Sequence, residues 1–417
     1  MGLLKVRVFE LRGTFEVQAI ATRPAITVSA DGTGVVSHAG SRLLAALDDE
    51  RLTAVAAARA RAREVAWAQR AELTGQAFGR SRVAGSPGID ALVIDLDAHL
   101  VVCHSEKEAA APTFKSTFGY HPLLAFLDNT GEFLAGTLRP GNAGSNTAAD
   151  HITVLDAALA QLPEAHRHGH PILVRADGAG CTKAFLAHVR ALRGTGVTCE
   201  FSVGWRIGGR EHTAIAALPA SAWSAAVDAD GAPRPVDEAA VAELTGLLGV
   251  RVLAGYPTGT RVVVRRERPH PGAQLDLIET RDGYRYTAVA TDTRVGQHAF
   301  LDARHRAHAR VEDRIRCGRD TGLGRLPSRS FAINAAWLTA VMIAVDLLAL
   351  TQTLLLHDTP HLTRAEPKTL RYRLLHVAAR LARGGRRLRL RLDRTWPWAR
   401  DLAAAFGRLA ALPTPSG

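Results

Sequence analysis

The sequence predicts an α/β protein interrupted by a β-rich insertion and closed by a helical, basic C-terminal region. Three observations carry this. Residues 90–104, DALVIDLDAHLVVCH, form a β-branched apolar run with acids inside it, the pattern of a central strand buried on both faces. Strand-like and helix-like periodicities then alternate as β-β-β-α-β-α-β up to Trp205. Positive charge is concentrated late in the chain. A length of 417 residues with 47% hydrophobic content supports a substantial core, and a formal charge of +12 speaks for a polyanionic partner, either nucleic acid or an anionic membrane surface.

Cys103, Cys181, Cys199 and Cys317 are widely spaced without a CxxC pair, which argues against a zinc ribbon or a disulfide scaffold and for free thiols. The opening MGLLKVRVFELRGTFEV alternates apolar and charged residues, unlike a secretory signal, so a cytoplasmic location is expected. Residues 331–356 are as long and apolar as a membrane span. Asn334, Asp346 and Gln352 interrupt them, and an Asp near a bilayer centre costs at least ~2.5 kcal/mol, so a buried core helix is expected and no membrane partner.

Taken in order, residues 1–45 read as a strand-rich lead and 41–74 as one Ala- and Arg-rich helix. SRVAGSPG at 81–88 is a linker. Residues 120–127 and 132–138 are strands joined by the hairpin signal Asp128, Asn129, Thr130 and Gly131, and with 90–104 they predict an antiparallel meander. A helix follows over 147–162, with Ser145 or Asn146 as its N-cap. PILVRAD at 171–177 is a strand ending in an acid, 182–192 is a helix and 198–205 a strand. This order, with one acid inside the first strand and another ending the fourth, is that of a ribonuclease H-like core. The predicted organisation is an N-terminal region at 1–80, the first part of the core at 88–205, the insertion at 206–298 and the last part of the core at 299–356. A basic region at 357–417 completes the chain. Residues 364–400 hold twelve Arg or Lys against Glu366 and Asp393, a net of ten.

The acids are the candidates for chemistry. Asp95 and Asp97 are two apart on a strand, so they share one face amid Val93, Ile94 and Leu96. An acid at a sheet edge or paired with a neighbouring Arg is the bland alternative. Asp177 precedes Gly178, Ala179 and Gly180 at the carboxyl end of a strand, where ligands of α/β folds gather, unless it merely caps the next helix. Glu312 sits in HRAHARVEDRIR, a run that in isolation reads as a solvated helix face. Converging carboxylates are what metal-assisted phosphodiester cleavage requires, with two ions roughly 3.5–4 Å apart.

The ordered set VIDLDAHLVVCHSEKEAAAPTFKSTFGYHPLLAFLD, LAGTLRPGNAGSNTAADHI, LVRADGAG, VRRERPHPGAQL and RAHARVEDRIRCGRDTGL resembles the DDE transposases of bacterial insertion sequences, in the branch with a β-strand insertion before the final Glu. The resemblance spans residues 90–400. It implies DNA cleavage and strand transfer, with Asp97, Asp177 and Glu312 as catalytic acids holding two Mg²⁺ or Mn²⁺ ions and Asp95 as the alternative first acid. It further implies His305, His308, Arg310 and Arg319 as DNA-contacting residues around the last acid, and Trp223, or Trp205, as a base-stacking aromatic. At His308 the family tends to carry Arg, a permanent cation with a bidentate fork. The implied partners are double-stranded DNA, as terminal inverted repeats and target, and a second copy of the chain in the DNA complex. VSADGTGVVSHAGSRLLAAL and LTAVAAARARAREVAWAQR abut near residues 48–51, where the resemblance implies intervening helices. That reads as an internal deletion, and an inactive relic that only binds DNA is the competing expectation.

Overall fold

A computed structural model describes residues 44, 47–104, 106–384 and 387–413; the strand-rich lead expected over 1–45 lies outside these apart from residue 44. The helix expected next is α1, Asp49–Thr74, and it starts at the inferred junction: Asp48 is its N-cap and accepts from the Arg51 amide at 2.9 Å, satisfying one of the orphan N–H groups of the first turn.

Nine strands form one mixed sheet: β1 Leu92–Ala98, β2 Leu123–Leu127, β3 Phe133–Thr137, β4 Ile172–Ala176, β5 Cys199–Trp205, β6 Ser224–Ala225, β7 Ala239–Glu243, β8 Arg261–Glu267 and β9 Arg285–Thr291. Their spatial order is β3-β2-β1-β4-β5-β9-β8-β7-β6. The expected meander is present as β1-β2-β3, antiparallel throughout. β4 joins β1 in parallel and β5 joins β4 in parallel, which requires crossovers; these contain α2 Ala148–Ala160 and α3 Lys183–Ala191. The β-rich stretch after Arg206 contributes β6 to β9, and β9 pairs directly with β5, so the insertion lengthens the core sheet.

Helices cover both faces. Val154, Leu155 and Ala158 of α2 and Phe185, Leu186 and Val189 of α3 pack with Trp67 of α1 against Ile94, Leu96, Val174 and Phe201. On the other face lie α5 His298–Arg306, α6 Arg310–Gly318 and α7 Phe331–Leu350, after α4 Gly209–Ala216 has ended the loop beyond β5. Val311 and Ile315 of α6 and Leu338, Val341 and Val345 of α7 meet Leu124, Phe126 and Phe133.

Among the described residues one helix, Phe331–Leu355, is long and apolar enough to cross a membrane by length and composition. Each of its three interrupting polar residues is bonded within the protein. Asn334 accepts from the Ser328 amide at 3.0 Å, Gln352 donates to the carbonyls of Leu362 and Ala365, and Asp346 accepts from Arg59 and Arg63 at 2.8 Å each. Arg63 also reaches Glu132 at 2.7 Å, and Trp67 Nε1 donates to the same carboxylate at 3.0 Å. Arg59, Arg63 and Trp67 recur every four residues, so the Arg-rich helix turns a cationic stripe inward.

Three local expectations are corrected. The N-cap of α2 is Thr147, not Ser145 or Asn146, and its hydroxyl bonds the Gly144 carbonyl instead of the helix. The helix expected over 305–317 is interrupted by a 3-10 turn at Ala307–Ala309, which holds His308. The C-terminal region is not wholly helical: Ala379–Gly384 and Arg387–Leu392 form an antiparallel hairpin before α8, Ala399–Ala410, because RLRLRL alternates with the period of a strand.

Asp346→Ala leaves Arg59 and Arg63 without their shared counter-charge. A loss of about 3–5 kcal/mol is expected, against less than about 1 kcal/mol for Arg61→Ala, whose exposed i to i+3 pair with Glu64 is screened by water. Urea unfolding of the two variants checks this.

Candidate active site

Parallel register between β1 and β4 sets the site. Asp95 is level with Arg175 and Leu96 with Ala176, so Asp97 and Asp177 follow side by side at the carboxyl ends of neighbouring strands. Because faces alternate along a strand, Asp97 shares a face with Asp95, and that face is the one roofed by α5 and α6. Immediately after β4 the chain turns: the Asp177 carboxylate accepts from the Ala179 amide at 2.9 Å and caps the 3-10 turn Gly178–Gly180. Gly204 of β5 lets this turn sit close, since a Cβ there would lie 2.8 Å from the Gly178 nitrogen.

Asp95 is committed elsewhere. Arg175, fully buried, grips it with two hydrogen bonds of 2.7 Å, gives a third to the Arg304 carbonyl at 2.9 Å, and reaches Asp128 at 3.3 Å. His308 Nδ1 adds a bond to Asp95 at 2.9 Å; since a carboxylate only accepts, that nitrogen carries the hydrogen. The bland alternative for one of the paired acids, pairing with a neighbouring Arg, therefore describes Asp95. It also describes Arg310, whose guanidinium pairs with Asp128 through Nε at 2.8 Å and through Nη2, while Ser81 Oγ donates to Asp128 at 2.5 Å.

Among the described residues Asp97 has no cationic partner in direct contact, and its carboxylate accepts a hydrogen bond from the Ala98 amide at 2.8 Å. Burial first, then the negative charges of Asp177 and Glu312, push its carboxyl up to about 6 against the opposing pull of His308. Asp177 and Glu312 thus act electrostatically on Asp97 although the three come from the turn after β4, α6 and β1. Asp177 and Glu312 are exposed. Among the described residues no three His, Cys, Asp or Glu side chains are gathered at chelating distance. In kind, the donor set suits a hard divalent cation: carboxylate oxygens only, no thiolate, and mutual repulsion that a bound cation would relieve.

The other expected contacts separate clearly. Arg319 is exposed on the turn after α6, and its charge helps, after burial, to lower His99 to about 4. His305 lies against Ser202 Oγ at 3.2 Å. Burial first, then the electrostatic influence of His308, Arg175 and Arg304, pushes its ring down to about 3, so it is neutral at pH 7. Trp223 is buried in the core with the Arg266 guanidinium over its ring at 4.2 Å, and Trp205 packs on Tyr256. A cleft of about 1280 Å³ opens beside Asp177, lined by His305, Arg306, His308 and Arg310 on one side and by Arg206, Arg265 and Arg285 of the extended sheet on the other. Two determinants are not apparent from sequence, Arg175 and Asp128. A lone Arg inside the apolar run PILVRAD, with an acid in a neighbouring predicted strand, was the available signal.

Burial opposes ionisation of Asp128, but the Arg310 hydrogen bonds and the charges of Arg175 and Arg310 outweigh it and hold the carboxyl at about 2. A depressed folded value means that its stabilisation is complete above the unfolded value of about 3.9 and fades as pH falls toward 2. Asp128→Asn should therefore cost about 2 kcal/mol at pH 7, with the gap to the parent chain narrowing below pH 4 in urea unfolding.

Comparison with known proteins agrees with the sequence resemblance. No curated protein matches. Among solved structures, the chain is similar to a cryo-EM structure of the piggyBac transposase synaptic complex with hairpin DNA, at 9% identity and a TM-score of 0.42, over 68% of this chain and 52% of that one. A family model, Transposase DDE domain group 1, matches residues 86–414, which takes in every strand of the main sheet and all three candidate acids. The chain belongs to the DDE transposases.

Proposed function

We propose that the chain cleaves and joins DNA at the ends of a bacterial insertion sequence, using Asp97, Asp177 and Glu312 on a ribonuclease H-like core. The observation that carries this is the parallel register that sets Asp97 and Asp177 side by side at the carboxyl ends of β1 and β4, on the sheet face covered by α6 with Glu312. The strand order β3-β2-β1-β4-β5, with its first three strands antiparallel and the rest parallel, supports the core assignment. When bound, two Mg²⁺ or Mn²⁺ ions supply an activated water and stabilise the leaving oxygen.

The protein's own contribution is placement. Asp97 is fixed by β1, and its raised carboxyl is ready to exchange its proton for a cation. Asp177 and Glu312, both exposed, are supplied by the turn after β4 and by α6. Because Arg175 and His308 already hold Asp95, Asp97 is the acid of that strand left for a metal. His308 sits one side chain away from the acids, where it tempers the charge on Asp97; its bond to Asp95 supports a positioning role in preference to a phosphate contact. Arg319 remains exposed for a phosphate, whereas Arg310 is held by Asp128. The neutral His305 ring offers no charge to DNA. The double-stranded partners are the terminal inverted repeats and the target, bound by two copies of the chain in the cytoplasm, with no membrane role.

The test is cleavage of the element's own terminal repeats in Mn²⁺. Asp97→Ala, Asp177→Ala and Glu312→Gln are each expected to lower the rate by roughly two to three orders of magnitude with DNA binding retained. A parent chain that binds the repeats and leaves them uncut would sink the enzymatic reading and support the relic.

A further inference from the structure

The C-terminal hairpin is built unlike any other part of the sheet structure. Ala379–Gly384 and Arg387–Leu392 pair only with each other, and an isolated two-stranded ribbon is marginal in water. Its register sets Arg380 opposite Arg391 and Ala382 opposite Arg389, so three arginines share one face. Like charges directly opposite each other destabilise a strand pair. All three are exposed, and none of them has a carboxylate partner among the described residues. By contrast, the arginines of the core are mostly paired: Arg59, Arg63, Arg175, Arg265 and Arg310 each hold an acid.

The base of the hairpin is anchored while the arm is free. The Asp393 amide closes it on the Ala378 carbonyl, and Trp396 Nε1 donates to the Arg373 carbonyl at 2.7 Å. Tyr372, Trp396 and Trp398 pack edge to face within 5.4–5.8 Å, with Arg373 over Trp398. A firm aromatic footing therefore presents a ribbon whose repulsive face a polyanion would stabilise. The opposite face carries Leu381 and Leu390, paired with each other and exposed.

We propose that the paired strands Ala379–Gly384 and Arg387–Leu392 form a β-ribbon that docks on duplex DNA through Arg380, Arg389 and Arg391. Duplex DNA is favoured over an anionic lipid surface on two grounds. A two-stranded ribbon matches the width of the major groove, and Arg380, Arg389 and Arg391 lie on the face opposite Leu381 and Leu390, whereas a lipid surface would need these cations and leucines on one side. The inference rests on the proposal that this chain binds DNA.

The experiment measures affinity of the full chain for duplex DNA by fluorescence anisotropy over 50–200 mM salt, with vesicles of anionic lipid in parallel. Arg380→Gln, Arg389→Gln and Arg391→Gln together should flatten the plot of log affinity against log salt by about 2.7, at about 0.9 for each phosphate that is no longer neutralised. The corresponding triple Arg→Lys chain should keep the parent slope, and unchanged circular dichroism excludes misfolding as the cause. If the parent binds DNA steeply and the Gln chain keeps that slope, the ribbon does not touch the DNA, although the proposed function stands. If the parent does not bind DNA, both readings fall. Loss of vesicle binding with DNA affinity untouched would overturn the ribbon in favour of a lipid surface.

Discussion

A buried guanidinium organises this protein. Arg175 has no solvent exposure, and its donors reach Asp95, Asp128 and the Arg304 carbonyl. Those partners belong to β1, to the turn after β2, and to the end of α5. Removing three charged groups from water costs several kcal/mol per ion, and their attraction repays this only when the geometry is good and every donor is used. Here the donors are used. Through Arg304 and Arg310 the cluster also fixes the chain on either side of His308, and hence the start of α6, where Glu312 lies.

The cluster specifies more than it stabilises. β1 and β4 are apolar on both faces, LVIDLDA beside ILVRA, so burial alone does not distinguish the native pairing from a slip of two residues, which leaves every side chain on its own face. The charged pair does distinguish them. A two-residue slip would bring Asp97 beside Arg175 and leave Asp95 buried without its partner. Asp95 and Asp97 thus look equivalent on the strand and are treated differently by the fold: one locks the register through Arg175, and the other meets no cation in direct contact among the described residues.

This explains how much was legible in the sequence. Strand and helix positions followed from periodicity, so the core from β1 to β5, α2 and α3 could be read with small errors at their ends. The choice between Asp95 and Asp97 could not, because it depends on which residue of another strand lies alongside, and register is a property of the pair. Arg310 and Trp223 were open to misreading for the same reason: an arginine near an acid, or a tryptophan in a β-rich stretch, has no visible partner until the chain is folded. The continuity of the insertion with the core sheet likewise depends on β9 finding β5, a pairing of residues more than eighty positions apart.

The net charge must be divided accordingly. A formal +12 suggests a molecule covered in cations, yet many of its arginines point inward: Arg63 of α1 and Arg265 of β8 are buried against Glu132 and Asp302. Such residues give a folded protein its cross-braces and add little to the local field at its surface, because each is neutralised at contact distance. The field that a polyanion meets comes from unpaired, exposed cations, and these are enriched after residue 364, where the sequence has almost no acids to consume them. Net composition therefore overstates the charge that a polyanion would meet. The excess that matters is the small set of arginines that the fold leaves without a carboxylate.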